Sequence, residues 1–342
     1  MNKYIICLSI LITCSLFLFS CDNPSSRQTK EVQTNNIKVT DALNNEVVLE
    51  KPVEKIICLY EPGLDALYML HAESKLTGIY NDVYTSNELF PFYSKMDDRI
   101  AKKQLPEAGI NNGASIERVI QLAPDLVLMH AGQEDAIKTL KNAGIQVYAI
   151  NANSKKEVIK TVTDIAALTG KKERGEELLA YVEKKVDEMK KHSEKVEKRR
   201  RVYFAWAYGR VFSTTGTNSM MHACLEMAGV ENVCPFEVDQ PNINAETLIG
   251  WNPDMIVMWN DSPDLFYGRK EFSDILAIKE RQIFNLLPMF FYNPHTLKAL
   301  CTATAIHQWA YPNKEGNSVQ QVEQVFIQLY GKEKTDKIIA LL

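Results

Sequence analysis

The six histidines, seven cysteines and 43 acidic residues are the side chains of this sequence that could do chemistry. Their spacing argues against most of it. No two histidines stand four apart, as a helical zinc site would need, and no cysteine pair has a C-x-x-C or Cys/His zinc spacing. There is no G-x-S-x-G elbow and no Walker loop, and the carboxylates Asp82 and Asp264 belong to no ordered triad. The chain is not expected to be an enzyme, to carry a resident cofactor, or to hold a structural metal. What remains is recognition, and two residues occupy matched places for it: His130 and Trp259.

The match comes from an internal repeat. Ser115 to His130 reads SIERVIQLAPDLVLMH, and Asn244 to Trp259 reads NAETLIGWNPDMIVMW. The two align without gaps. Each opens on a residue suited to cap free helix N–H groups, Ser115 or Asn244. Each has a glutamate in the first helical turn, Glu117 or Glu246, where the helix dipole favours an anion. Each continues through a short amphipathic helix to Pro-Asp and an apolar strand, with Pro124 and Pro253 ending the helix. In open α/β sheets ligands bind beyond the carboxyl ends of the strands, so two such units place His130 and Trp259 at facing strand ends.

The elements needed to position those ends follow from hydrophobic period. A hairpin is expected over residues 37–49, a strand over 55–60, a helix from Pro62 to Leu70 and a strand over 76–80. Helix, strand, helix and strand follow over 115–122, 125–129, 134–142 and 146–150. A long helical stretch covers 154–198, interrupted at Thr169-Gly170. After it Leu178, Val182, Val186, Met189 and Val196 recur at helical spacing among Lys and Glu. About 25 helical residues reach roughly 37 Å, long enough to serve as a strut between two lobes. Beyond Arg199-Arg200-Arg201 the alternation restarts: strands over 202–206, 255–259 and 282–285, and helices over 220–227, 245–250, 296–310 and 319–330. The fold class is α/β, with two similar lobes built on mostly parallel sheets, one long backbone helix joining them, and a ligand cleft between.

Composition narrows the setting. The net charge of −4 provides no basic field for nucleic acid. At the N-terminus, Lys3, an apolar run from Tyr4 to Phe19 and the sequence Leu18-Phe19-Ser20-Cys21 look like a bacterial lipoprotein signal, in which Cys21 is lipidated after cleavage. The organisation is thus a signal peptide over 1–20, a polar tether over 21–36, an N-terminal lobe over 37–153, a linking helical segment over 154–200 and a C-terminal lobe over 201–342. The cysteines past the anchor, Cys58, Cys224, Cys234 and Cys301, read as buried small apolar residues. A Cys224–Cys234 disulfide is compatible with an oxidising compartment.

From Ile37 to Tyr330 the order of these motifs resembles the helical-backbone class of periplasmic binding proteins, the importer receptors for ferric siderophores, haem and cobalamin. The run from Lys55 to Tyr68, KIICLYEPGLDALY, the two Glu…Pro-Asp units, Gly144 to Tyr148 and the strut helix carry the resemblance. It implies a monomeric receptor anchored in the cell envelope that captures a metal chelate and passes it to an ABC permease and its ATPase. A corrinoid such as cobalamin, or haem, is the alternative cargo; an adhesin or a cleft enzyme is the alternative of another class. It implies that Glu117 and Glu246 dock on the permease, a role compatible with stabilising their helices. It implies a cleft lined by Tyr80, Tyr84, His130, Trp206, Tyr208, Gln240, Trp259, Phe290, Tyr292 and His295. His130, His295, Tyr80 or Tyr292 could ligate the metal of a cargo, or hydrogen-bond a siderophore. Only Arg210 and Arg269 are available as cleft cations, which disfavours a trianionic cargo.

Overall fold

A computed structural model describes residues 36–110, 113–312 and 316–342. The signal peptide, Cys21 and all of the tether but Asn36 therefore lie outside the described residues. No helix among the described residues is long and apolar enough to cross a membrane.

The chain opens with an antiparallel hairpin, β1 (Ile37–Thr40) and β2 (Glu46–Leu49). Its turn is built by Asp41, whose carboxylate accepts from the Leu43 and Asn45 backbone N–H groups at 2.9 and 2.8 Å, an Asx turn that leaves Asn44 at φ 61°. Two sheets follow. The first contains β3 (Ile56–Cys58), β4 (Leu76–Tyr80), β5 (Glu107–Ile110), β6 (Gly113–Ala114), β7 (Leu126–His130) and β8 (Val147–Ile150). Their order is β6-β5-β4-β3-β7-β8, parallel except for the edge strand β6. The second contains β9 (Arg201–Ala205), β10 (Glu231–Asn232), β11 (Met255–Trp259) and β12 (Ile283–Leu286), all parallel in the order β10-β9-β11-β12. Strands β3, β8 and β11 are buried at every position, although β8 lies at a sheet edge. Their continuous apolar runs suit parallel sheets covered on both faces.

Each sheet reverses its strand order beside its first strand, β3 in one and β9 in the other. The repeat supplies the strand across each reversal, and a carboxylate pins it there. Asp125 accepts from the Glu54 and Lys55 backbone N–H groups, both at 2.8 Å. Asp254 accepts from the Arg201 N–H at 2.9 Å. The Pro-Asp pairs thus do more than stop helices: each aspartate ties its strand to the start of the neighbouring one. The helices themselves end one residue earlier than the prolines, at Ala123 and Asn252 with φ 45° and 43°. The expected N-caps divide. Asn244 accepts from the Thr247 N–H at 2.9 Å, whereas Ser115 makes no side-chain cap bond.

The linking segment is two helices, Lys155–Thr169 and Lys172–Ser193, the second being the expected strut; they part at the expected interruption, Gly170, whose φ of 73° few other residues adopt. The second, of 22 residues, spans about 33 Å. It packs along the helix Ala299–Ala310, which in turn packs on Ser318–Tyr330. The chain beyond β12, read from sequence as part of the second lobe, returns over the first. Ser318–Tyr330 contacts the helix Glu61–Met69, and Lys332–Ile338 contacts Leu89–Met96. Arg174 closes this region by donating to the Met69, Gln328 and Leu329 carbonyls. One hydrophobic core accordingly runs from Ile57 and Val127 of the first sheet to Phe204 and Val257 of the second. Tyr203, Ile256, Phe266 and Phe272 form a separate core on the far face of the second sheet. Cys58, Cys224, Cys234 and Cys301 are buried and free, so the Cys224–Cys234 disulfide is not formed.

Candidate functional site

A cleft of about 480 Å³ opens where the two sheets present their strand ends. The first half contributes Glu61, just beyond β3, and the loop Ser86 to Leu89, reached from β4. The second contributes Trp206 directly after β9 and Trp259 at the end of β11. Met289, Phe290, Asn293, Pro294 and His295 complete the wall. The site therefore lies at the carboxyl ends of parallel strands, beside the reversal of each sheet, where α/β folds leave a crevice. Its volume is that of a small-molecule site.

The aromatic wall is rigid. Trp206 donates its indole N–H to the Thr214 carbonyl at 2.8 Å. Its ring lies 4.9 Å from Phe204, edge-on, and 5.9 Å from Trp259. The segment after β12 is tied to the first half by two bonds across the cleft. Asn293 donates to the Glu61 carboxylate at 2.6 Å, and His295 Nδ1 lies 2.7 Å from the Ala152 carbonyl. That carbonyl can only accept, so His295 carries its proton on Nδ1 and, when neutral, keeps a lone pair on Nε2.

Beneath the aromatic wall is a buried charge cluster. Lys298 is fully buried, 3.1 Å from Asp65 and 3.7 Å from Glu61, with its ammonium 3.3 Å from the centre of the Phe290 ring. Asp65 also accepts from the Tyr330 and Tyr93 hydroxyls. Glu61 reaches the cleft with a side chain 19% exposed. Burial pushes its carboxyl up to about 7, against the pull of Lys298 and the Asn293 hydrogen bond. Burial also raises Glu88, opposed by the Phe290 backbone N–H and by Lys298.

Of the ten residues expected to line the cleft, Trp206, Trp259, Phe290 and His295 do so. Tyr80 and Tyr84 are buried in the core, with the Tyr84 hydroxyl bonded to the Leu105 carbonyl at 2.9 Å. Tyr292 is buried behind Phe290, its carbonyl accepting from Thr302. His130 packs its ring 4.9 Å from Tyr60 and lies outside the wall. Tyr208 is 79% exposed and Gln240 is also in solvent. These positions differ from expectation because strand ends and loops look alike in sequence, while burial is decided by what packs over them. The expectation passed over Glu61, Glu88 and Lys298. Glu61 had a signal: it follows an apolar strand and opens an apolar helix, the same placement that singled out Trp259.

Glu117 and Glu246 are both exposed, each in the first turn of its repeat helix. Three residues on, and so on the same helix face, stand Ile120 and Ile249, 47% and 40% exposed. Each repeat thus presents an acid beside an apolar side chain to solvent.

The family model for periplasmic binding proteins matches residues 56–288. An uncharacterized ABC transporter substrate-binding lipoprotein of Bacillus subtilis, YvrC, is 24% identical over 290 residues, 81% of this chain and 88% of that protein. A vitamin B12-binding protein of Salmonella typhi is 24% identical over 170 residues, 48% of this chain and 63% of its own length. Among solved structures, a periplasmic solute binding protein of Veillonella parvula superposes with a TM-score of 0.72 at 19% identity, covering 90% of this chain and 97% of its own.

Proposed function

The chain belongs to the periplasmic binding protein family, whose members bind rather than transform, and on that premise we propose that it captures a metal chelate in the cleft between its sheets and delivers it to an ABC permease and ATPase. As a substrate-binding protein of an ABC transporter it works outside the cytoplasm. The observation that carries the cargo reading is the wall of Trp206, Trp259 and Phe290 beside His295. Flat aromatic faces suit a large, partly apolar ligand, and a histidine held by a backbone carbonyl can meet a metal centre or a polar ligand edge. A ferric siderophore is the first candidate. A corrinoid is the second, favoured by the name of the Salmonella relatives.

Delivery is assigned to the two repeat helices. Glu117 and Glu246 occupy equivalent places, one beside each sheet, and are exposed, with no ion pair to either among the described residues. A permease carrying complementary cations would be oriented by both at once, gaining mainly on-rate and register. Cys21 would hold the protein, a monomer, at the membrane by its lipid. The relative from Bacillus subtilis bears the name lipoprotein, and Cys21→Ser should abolish labelling with a fatty-acid probe and release the protein.

The deciding experiment is a tryptophan-fluorescence titration of the full-length protein in detergent micelles with ferric hydroxamates, ferric catecholates, cobalamin, cobinamide and haem. Saturable quenching by one class supports the receptor reading and names the cargo. No saturable response from any of them would sink it.

A further inference from the structure

The cleft has an electrostatic character that the receptor reading alone does not supply. Its wall carries two carboxylates, Glu61 and Glu88, and no lysine or arginine lines it among the described residues. The nearest cation, Lys298, lies wholly buried behind Phe290 and is committed to Asp65 at 3.1 Å. One buried ammonium serves both Asp65 and Glu61 there, so it cannot also neutralise an anionic ligand. Neither arginine that sequence offered lines the cleft. Arg210 donates to the Ala207 carbonyl at 2.9 Å, and Arg269 lies over the Phe212 and Phe272 rings, 3.7 Å from Glu271.

We propose, resting on the receptor reading above, that this cleft selects cargo by charge: it takes cationic or neutral chelates that turn ammonium or amide N–H groups toward Glu61 and Glu88, and rejects polyanionic ones. Three physical effects act in the same direction. An anionic chelate entering the cleft would lose its hydration against carboxylates with no cation to replace it, a repulsive element of the kind that creates specificity. A cationic edge gains from the carboxylates and from the Trp206 and Trp259 faces, whose quadrupoles attract positive charge. Glu61 already holds one donor, the Asn293 amide at 2.6 Å, and its second oxygen is free to take another from the ligand. The groups that act most strongly on Glu61 are Lys298, Asp65 and Asn293, and the charge of Lys298 is balanced by Asp65 at 3.1 Å.

The test uses matched ligands that differ chiefly in the charge of one terminus or side chain. One series is the ferric complex of a linear trihydroxamate with a free ammonium terminus, the same complex acetylated there, and the same complex succinylated there. A second is cyanocobalamin and its monocarboxylate derivative. Each is titrated by tryptophan quenching into the full-length protein at a pH well above 7, where Glu61, raised to about 7 by burial, is ionised, with a ferric triscatecholate as the polyanionic extreme. In whichever series binds, affinity should fall by about tenfold for each unit of charge made more negative, some 1.4 kcal/mol. Glu61→Gln, confirmed as folded by its thermal transition, should compress that spacing to about threefold or less. A succinylated or carboxylate complex bound as tightly as its neutral parent would overturn the charge selection while leaving the receptor reading intact, and so would a triscatecholate bound best. This comparison needs only the unsubstituted protein. Silence from both series and from the triscatecholate would instead bring down the receptor reading itself, and the charge selection with it.

Discussion

The Lys298 ammonium stands 3.1 Å from the Asp65 carboxylate, with both side chains at 0% exposure. The pair joins the helix Glu61–Met69 to the residue preceding Ala299–Ala310, and so ties the first half of the chain to the segment that returns after β12. Breaking such a pair strands the remaining charge. Asp65→Ala should cost about 3–5 kcal/mol in urea unfolding, and Asp65→Ala combined with Lys298→Met should recover most of that loss. A double variant no more stable than the single one would show that packing of the lysine stem, rather than the pair, holds this region.

Glu61 makes stability depend on pH in a stated direction. Its carboxyl is pushed from 4.5 up to about 7 by burial, against Lys298 and Asn293. A group with a raised folded value binds its proton more tightly when folded. Its stabilisation is therefore complete below 4.5 and is lost as pH rises toward about 7. Glu61→Gln mimics the protonated form, so the melting temperature of the parent should fall relative to this variant across that window. Parallel pH profiles would count against a perturbed Glu61.

Docking is separable from capture. Glu117→Ala with Glu246→Ala should leave ligand affinity within about twofold and remove uptake in cells. Ile120→Ser with Ile249→Ser should weaken uptake as well, since each isoleucine is exposed on the same helix face as its glutamate and would be covered by the permease. Uptake unchanged in the glutamate double variant would remove these helices from the interface.

The indoles should report on the cargo. Trp206 and Trp259 lie 5.9 Å apart in the cleft wall, so Trp206→Phe with Trp259→Phe should remove most of the ligand-induced quenching, leaving only that of Trp251 and Trp309. Trp259→Ala should weaken binding by about 2 kcal/mol or more, the scale of a buried aromatic contact. Quenching undiminished in the double variant would place the ligand elsewhere.

Capture should proceed without wide closure. One core is continuous between the two sheets, and the bonds from Asn293 to Glu61 and from His295 to Ala152 bridge the cleft wall. Small-angle scattering should show a change in radius of gyration of less than about 1 Å on saturation, as for a pre-formed site. A larger compaction would mean that these bridges break.

The repeat, the alternating helices and strands, and the break at Gly170 were legible in the sequence because period and turn chemistry are local. β4, β7 and β11 fall within a residue or two of the expected spans, and the aromatic strand ends Trp206 and Trp259 came from the same pattern. The roles of Asp125 and Asp254 were not legible as strand pins, since their partners are 70 and 53 residues away. Nor was the displacement of Tyr80, Tyr84 and Tyr292 from the cleft wall, because their burial depends on elements that pack over them from distant positions.

The class of fold, the two-sheet plan and the strand ends Trp206 and Trp259 are written in local sequence, because they follow from hydrophobic period and from where parallel strands end. The electrostatics of the crevice arise from long-range packing. Glu61, Asp65 and Lys298 meet because the chain after β12 folds back across the first sheet. Whether a carboxylate faces cargo or a lysine disappears behind a phenyl ring is set by that return, through desolvation and pairing that no local pattern encodes.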